Sequence, residues 1–580
     1  MYSNTSGERN NGFGVQSLYS NTSGSRNIAI GNNALLHNTT GSYNVANGCS
    51  TLLTNEGNSR STAIGYGAMY FADDRTTGRS TYNTAIGYEA LQGSTTAANN
   101  TGQYNTAVGD QAMLDNTTGS YNTALGYNSL SSNTSGNQNT ATGSSSLSSN
   151  TTGYDNTAIG NEALTDNTTG YYNTAVGCLT LTSTTTGHYN TAIGRNSLSN
   201  NKGNHGNTAC GYNAISNADD RSSGQSSFNT AVGYRALEGP SPASGNTGIQ
   251  NTAIGALAMY SNTTGENNTT VGNSALYFNS TGKYNVAIGY QSLYFNKANY
   301  ASTAIGYDAM KYADNRTSGI ETNNTAIGYE AHMGSTTASN NSGIGNTAIG
   351  SKSMKTITSG VYNTAVGFSS LNYITDGDYN TAIGDFACYV NSTGYHNTAV
   401  GYSAFSTGSS YHNSTAIGSD AEPGASNTIR LGNSSVSTIG GYSSWSNLSD
   451  ARFKTNVKEN VVGLDFILKL RPITYNLDMD ALAEFNGTGD SVRLPESEQL
   501  KAAEVQTGFI AQEVELAAQS VNYDFHGVDK PKNETSHYSL RYAEFVVPLV
   551  KAVQEQQLQM QQQQNTIEEL LARIEELENK

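Results

Sequence analysis

The chain has 580 residues, 62 of them Gly and only 7 Pro, with 13% charged residues and a formal net charge of −16. An acidic balance without a basic stripe excludes a phosphate-binding surface, because nucleic-acid affinity comes largely from clustered Lys and Arg. The 37 Tyr argue against disorder, since disordered chains are aromatic-poor.

Met1-Tyr2-Ser3-Asn4 opens directly in polar repeat sequence, and no run of about 18 apolar residues follows, so neither a secretion signal nor membrane insertion is expected. Cys49, Cys178, Cys210 and Cys388 are scattered singly and read as buried small hydrophobes, not as a metal site or disulfide framework. No metal and no cofactor is expected.

Residues 1–418 are repeat. The unit is Asn-Thr-Ala-Ile/Val-Gly-Tyr-x-Ala/Ser-Leu/Met followed by a polar turn, Asn-Thr-Thr-Gly-x-Tyr, and it stands complete from Asn105 to Tyr121 with Asp110 in place of the first Tyr. The step from Asn105 to Asn122 is the basic period, and starts at 10, 27, 44, 61, 83, 105 and onward to 414 make 23 coils. That period is too short for helix pairs, whereas Thr-Ala-Ile before a Gly-rich turn suits a short strand, so the expected fold is mainly β, a β-solenoid. Stacking places Ile30, Ile86, Val108, Ile159 and Val176 in an apolar ladder and Asn83, Asn105 and Asn122 in a turn ladder. At about 4.8 Å per rung the coils would stack into a rod of roughly 110 Å.

A coil offers one Ile or Val, an Ala and a Leu or Met against the entropy of ordering its whole length, so a lone solenoid looks underfilled. The expectation is that neighbouring chains bury the Ala and Leu/Met positions between them. The repeats resemble the left-handed β-roll heads of trimeric autotransporter adhesins, and three chains is the number that resemblance implies. This unit is longer, and Thr stands where an apolar residue usually precedes Ala.

Six coils are longer than the rest, in adjacent pairs beginning at 61 and 83, 207 and 229, and 302 and 324. The first of each pair carries a charged turn, Asp73-Asp74-Arg75, Asp219-Asp220-Arg221 or Asp314-Asn315-Arg316. These read as three lateral collars, either glycan-contacting or calcium-binding protrusions, or turns on which Asp and Arg pair with each other in solvent. Asn-x-Ser/Thr triplets come automatically with the Asn-Thr-Thr turn and say nothing about glycosylation.

Residues 419–448 break the pattern and read as a cap and neck. Asn427-Thr428-Ile429-Arg430-Leu431-Gly432 is a last strand-like echo, and Trp445 reads as an aromatic plug over the exposed solenoid end.

At Ser449 the composition changes. The segment 1–448 holds 23 Asp+Glu and 16 Lys+Arg, and the much shorter segment 449–580 holds 22 and 13, so charge density roughly triples. Three blocks follow: Ser449-Asp450-Ala451-Arg452-Phe453-Lys454-Thr455-Asn456-Val457, Gly463 to Tyr475, and Gly508 to Val514. Together they resemble the intramolecular chaperone auto-processing domain at the C-terminus of phage tail fibres and endosialidase tailspikes, also present in the membrane-bound myelin regulatory factor. The resemblance implies an α+β domain over 449–545 that assembles three chains and helps their shafts fold. It also implies a single self-cleavage between Leu448 and Ser449, with Ser449 as nucleophile and Lys454 as base. A Ser hydroxyl needs such a base, and Lys serves only when burial or a cationic neighbour lowers its pKa; Arg452 is a candidate neighbour. Asp450 and Asn456 are candidates for orienting the peptide or holding the carbonyl oxygen. Ser-Asp before a helix is also an ordinary N-cap.

Over 546–580, Val546, Leu549, Val553, Met560, Ile567, Leu570, Ile574 and Leu577 fall on alternating steps of three and four, interrupted by Gln556 and Gln563. This heptad pattern predicts a coiled coil. Ile at one seam position and Leu at the other leans towards two strands, so three rests on the resemblance.

The expected protein is a homotrimeric phage or phage-like tail fibre, made in the host cytoplasm and extracellular on the mature particle. Its expected partners are a host-surface glycan or protein receptor and a tail or baseplate adaptor at the N-terminus, unless the chain is a fragment. A cell-surface adhesin with an uncleaved trimerisation domain is the alternative. The coils show no paired carboxylates for polysaccharide hydrolysis, and a membrane-bound transcription factor would need a basic region.

Overall fold

The computed structural model describes residues 2–313, 315–436, 438–442, 446–486, 493–532 and 536–580, so Asp314 of the third charged turn and Trp445 of the neck lie outside the described residues. The chain divides into two compact units, Met1–Asp385 and Phe386–Lys580.

Among its described residues the first unit is a parallel β-solenoid of 21 three-residue strands, from Asn11–Phe13 to Thr381–Ile383. Each strand pairs in parallel with the next, like residue over like: Thr174 faces Thr191, Ala175 faces Ala192 and Val176 faces Ile193. The ladder runs through backbone groups one coil apart, as where Gly177 N–H donates to Ile159 O at 2.7 Å. One strand per coil cannot close its own hydrogen bonds, so each coil is stable only on its neighbours.

The interior differs from the expected packing, in which neighbouring chains covered Ala and Leu/Met. Alternation along the strand turns the central Ala inward: Ala107, Ala158 and Ala175 are fully buried, as are Leu130, Leu164 and Met113 one turn later. These residues are already buried within one chain. The Ile/Val ladder forms in register but points outward, with Ile30, Ile86 and Ile159 about two-fifths exposed.

Two columns of Asn share the interior. Asn122 N–H donates to Asn105 Oδ1 at 3.0 Å, its own Nδ2 donates to Gly136 O at 2.8 Å, and Asn139 N–H donates to Asn122 Oδ1 at 2.9 Å. The turn Asn forms a second buried ladder, with Asn133 Nδ2 donating to Asn116 Oδ1 at 2.7 Å. A narrow coil filled by Ala, Leu and amides satisfies most rungs from the rung beside it. Ile enters the interior in the Leu column, as Ile215, or in place of a turn Asn, as Ile357 and Ile374, and not at the third strand position.

The turns ask for backbone that only stacking supports. Glu162 and Leu164 adopt left-handed φ of 55° and 53°, and the pattern recurs at equivalent positions along the solenoid. Non-glycine residues seldom adopt this conformation. Gly160 sits at φ 137°, where a Cβ would lie 2.3 Å from Gly177 O. Outside the coil, Tyr82, Tyr104 and Tyr121 stack ring on ring.

Long coils come in pairs for a visible reason. In the second coil of each pair a single Asn staples its own loop and the loop of the coil before it. Asn100 Nδ2 donates to Ser94 O and Phe71 O, Asn246 to Pro240 O and Asn217 O, and Asn341 to Ser335 O and Tyr312 O. A lone long loop would lack this partner.

The cysteines are corrected in part. Cys388 is buried in the column held mostly by Leu and Met, but Cys49, Cys178 and Cys210 are half-exposed; all four are free thiols.

The second unit begins with three parallel strands, Thr398–Val400, Thr415–Ile417 and Ile429–Leu431. Phe405, fully buried, occupies the Leu column there. The helical part follows: α1 (Leu464–Ile467), α2 (Met479–Asn486), α3 (Pro495–Ala503), α4 (Ala511–Ser520) and α5 (Val546–Glu578). Its core gathers Phe466, Val514, Ala517, Ala518, Phe525 and Phe545. Strand Ile473–Tyr475 pairs antiparallel with Gln506–Gly508.

Candidate functional site

The second and third sequence blocks meet in this small core. Phe466 and Val514 pack in one cluster, and Arg471 Nε donates to Glu513 Oε2 at 3.0 Å across 42 residues. Tyr542 and Phe545 complete the cluster: Phe509 N–H donates to Tyr542 Oη at 3.1 Å, and the Phe509 and Phe545 rings stack. These two lie just before the heptads, and only a long-range contact distinguishes them from ordinary core aromatics.

Helix α5 docks by its beginning. Pro548 in its first turn and Ala552 are buried, and Glu555 Oε2 accepts from Leu464 N–H at 2.7 Å, capping the start of α1. Beyond this the seam residues are uncovered: Val553, Met560, Ile567, Leu570, Ile574 and Leu577 are all at least half-exposed.

The first block holds the candidate site. Asp450 caps the short 3-10 turn Ala451–Phe453 by accepting from Arg452 N–H at 2.8 Å. The turn brings the chain round so that Lys454 Nζ reaches Ser449 Oγ at 2.9 Å. Ser449 and Lys454, the candidate nucleophile and base, are thus in hydrogen-bond contact. Arg452 is turned the other way: its Nε donates to both Asp450 oxygens, at 3.1 and 3.0 Å. That guanidinium holds the Asp450 carboxyl below the usual carboxylate range. Arg452 is therefore neutralised by Asp450. Asn456 follows at φ 53°, a left-handed residue that turns the chain after the dyad. Leu448, Ser449 and Ala451 to Asn456 are all exposed.

The first two charged turns of the long coils take the self-paired arrangement. Asp73 is 2% exposed and accepts from Arg75 Nε at 2.8 Å; Asp219 is 1% exposed and accepts from Arg221 Nε at 2.9 Å. Asn58 and Asn204 hold the backbone carbonyls of Asp73 and Asp219 in the same way. This leaves Asp74, and partly Asp220, facing outward; Arg316 is exposed in the third turn.

Among the described residues no helix is long and apolar enough to cross a membrane. Residues 449–523 match the family model described as the chaperone of endosialidase. A comparison with curated proteins finds no match. A C-terminal chaperone domain of this kind, following β-solenoid repeats, fits a tail fibre or tailspike.

Proposed function

We propose that the chain is a homotrimeric tail fibre of a phage or phage-like particle, folded by its C-terminal domain and released from that domain by one cut between Leu448 and Ser449. The observation that carries the cut is the 2.9 Å contact between Lys454 Nζ and Ser449 Oγ at the first residue of the matched segment. In the proposed chemistry the neutral Lys454 amine takes the Ser449 hydroxyl proton while Oγ attacks the Leu448 carbonyl carbon. The tetrahedral intermediate collapses by breaking the Leu448–Ser449 C–N bond, with the proton passing to the departing Ser449 nitrogen. Water then hydrolyses the Leu448 ester, giving the Leu448 carboxylate and restoring the Ser449 hydroxyl.

Lys is a base only when burial or a cationic neighbour disfavours its ammonium form. The dyad is exposed in the single chain. We therefore place activation after assembly, when neighbouring copies cover the segment and exclude water. This order suits the shaft. Parallel pairing with recurrent left-handed residues gains nothing until several coils stack, and a part-stacked shaft exposes an unpaired edge that invites aggregation. A preassembled end lowers that barrier, and its removal afterwards leaves a rod that resists unfolding kinetically.

Host attachment rests on the fit to tail fibres, with the outward acids of the long-coil turns, Asp74 and Asp220, and Arg316 as candidate receptor contacts. The cut is tested on a denaturing gel of the full-length product, with the fragment ends read by mass spectrometry. One fragment ending at Leu448 and one beginning at Ser449 are expected, and a Ser449→Ala chain that is cut equally well overturns the dyad.

A further inference from the structure

The outward face of the strands is unlike the rest of the shaft surface. Across the 21 strands of the first unit no first or third position is charged, in a chain with 13% charged residues. The first position is mostly Thr and the third mostly Ile, Val or Leu, as in Thr157/Ile159, Thr174/Val176 and Thr191/Ile193. Two residues on the column is mixed, with exposed Tyr66, Tyr88, Tyr127 and Tyr234 but also exposed Asp110, Arg195 and Asp385, so the uncharged face is the strand itself. At about 4.8 Å per coil and about 3.3 Å per residue, the face spans on the order of 100 Å by 10 Å. That is above the roughly 800 Å² each partner contributes to a stable protein interface, and well above the apolar patch a solitary protein usually leaves in water.

Resting on the homotrimer reading, we propose that copies of this chain pack side by side through this Thr and Ile/Val face, parallel and in register. The occupant follows from the periodicity. A partner that meets every row along the whole unit must carry the same repeat over the same length, and a second copy does. Closed three-fold symmetry keeps all copies parallel. The uncovered α5 seam in the second unit independently calls for more than one copy. The face also explains why a non-repeating end is needed. Its rows are nearly identical, so a slip of one coil costs few contacts, and register must be set by sequence outside the repeat.

The test uses the full chain with the photo-crosslinking residue benzoylphenylalanine placed at Ile159, and separately at Thr169, an exposed residue of the polar turn in the same coil. Mass is measured first by light scattering. The expected result is a three-copy mass, covalent multimers several-fold more abundant from position 159 than from 169, and crosslinked peptides from the same coil or its immediate neighbours in the other copy. A three-copy mass with crosslinks from 169 and none from 159 overturns this face and leaves the trimer standing. Crosslinks from 159 to coils far along the other copy overturn the register. A single-copy mass overturns the homotrimer reading together with the face. As a second arm, Ile159→Glu, Val176→Glu and Ile193→Glu combined should make the shaft much more protease-sensitive in the assembled protein, whereas Thr152→Glu, Thr169→Glu and Thr186→Glu combined should not. Equal sensitivity of the two sets counts against the face.

Discussion

Lys454 Nζ lies 2.9 Å from Ser449 Oγ, and the turn that joins them is pinned by Asp450, whose carboxylate holds both the backbone N–H and the guanidinium of Arg452. Replacing Lys454 by Met removes the base without removing bulk. Cleavage should fall by at least about a thousandfold, comparable to loss of the nucleophile in Ser449→Ala, because members of such a pair act as a unit. The fraction cut over time on a denaturing gel measures this. Asp450→Ala should slow cleavage less and should leave the trimeric mass unchanged.

The Leu column carries the shaft's apolar packing. Leu164→Ala should destabilise the shaft by about 2–5 kcal/mol, the range for deleting a fully buried Leu side chain. Unfolding of the uncut Ser449→Ala protein in denaturant reports it. Exposed Thr169→Ala on the same coil should lie within about 0.5 kcal/mol of the parent.

Gly78 comes so close to the preceding coil that a Cβ there would lie 1.6 Å from Gly57 O. Gly78→Ala must therefore displace the first long loop, and limited proteolysis should cut near residues 73–80 well before the rest of the shaft. The same substitution at Gly245, which has open space around it, should have no such effect.

His332 occupies a Leu/Met position of the column, and burial pulls its pKa down from 6.5 to about 4. Its Nε2 has no hydrogen-bond partner among the described residues. The folded state thus binds the proton less readily than the unfolded chain. Stability is full above about pH 6.5, falls as pH drops towards 4, and levels below that, a loss of about 3 kcal/mol per copy across the window. His332→Met should abolish this dependence, read as the denaturant midpoint at pH 5 against pH 7.5.

The sequence by itself determined the repeat, its period, its strand and the long-coil pairs, because each coil is a local unit and stacking copies it. It also placed Ser449 and Lys454 within reach of each other, since they are close in the chain and one capped turn brings them together. It did not determine which residues face inward. Ile159 is larger than Ala158 and reads as core, yet the strand alternates, and the narrow interior takes Ala158, Leu164 and the Asn156 ladder instead. That choice depends on the width of the closed coil, which no single repeat specifies. Nor did the sequence show that Asp450 rather than Lys454 would claim Arg452, since one carboxylate and one cation so near in the chain settle on each other only once the turn is closed. The meeting of Arg471 with Glu513 and of Phe509 with Tyr542 likewise came only from the tertiary fold, because contacts between segments so far apart in the chain leave no periodic trace in it.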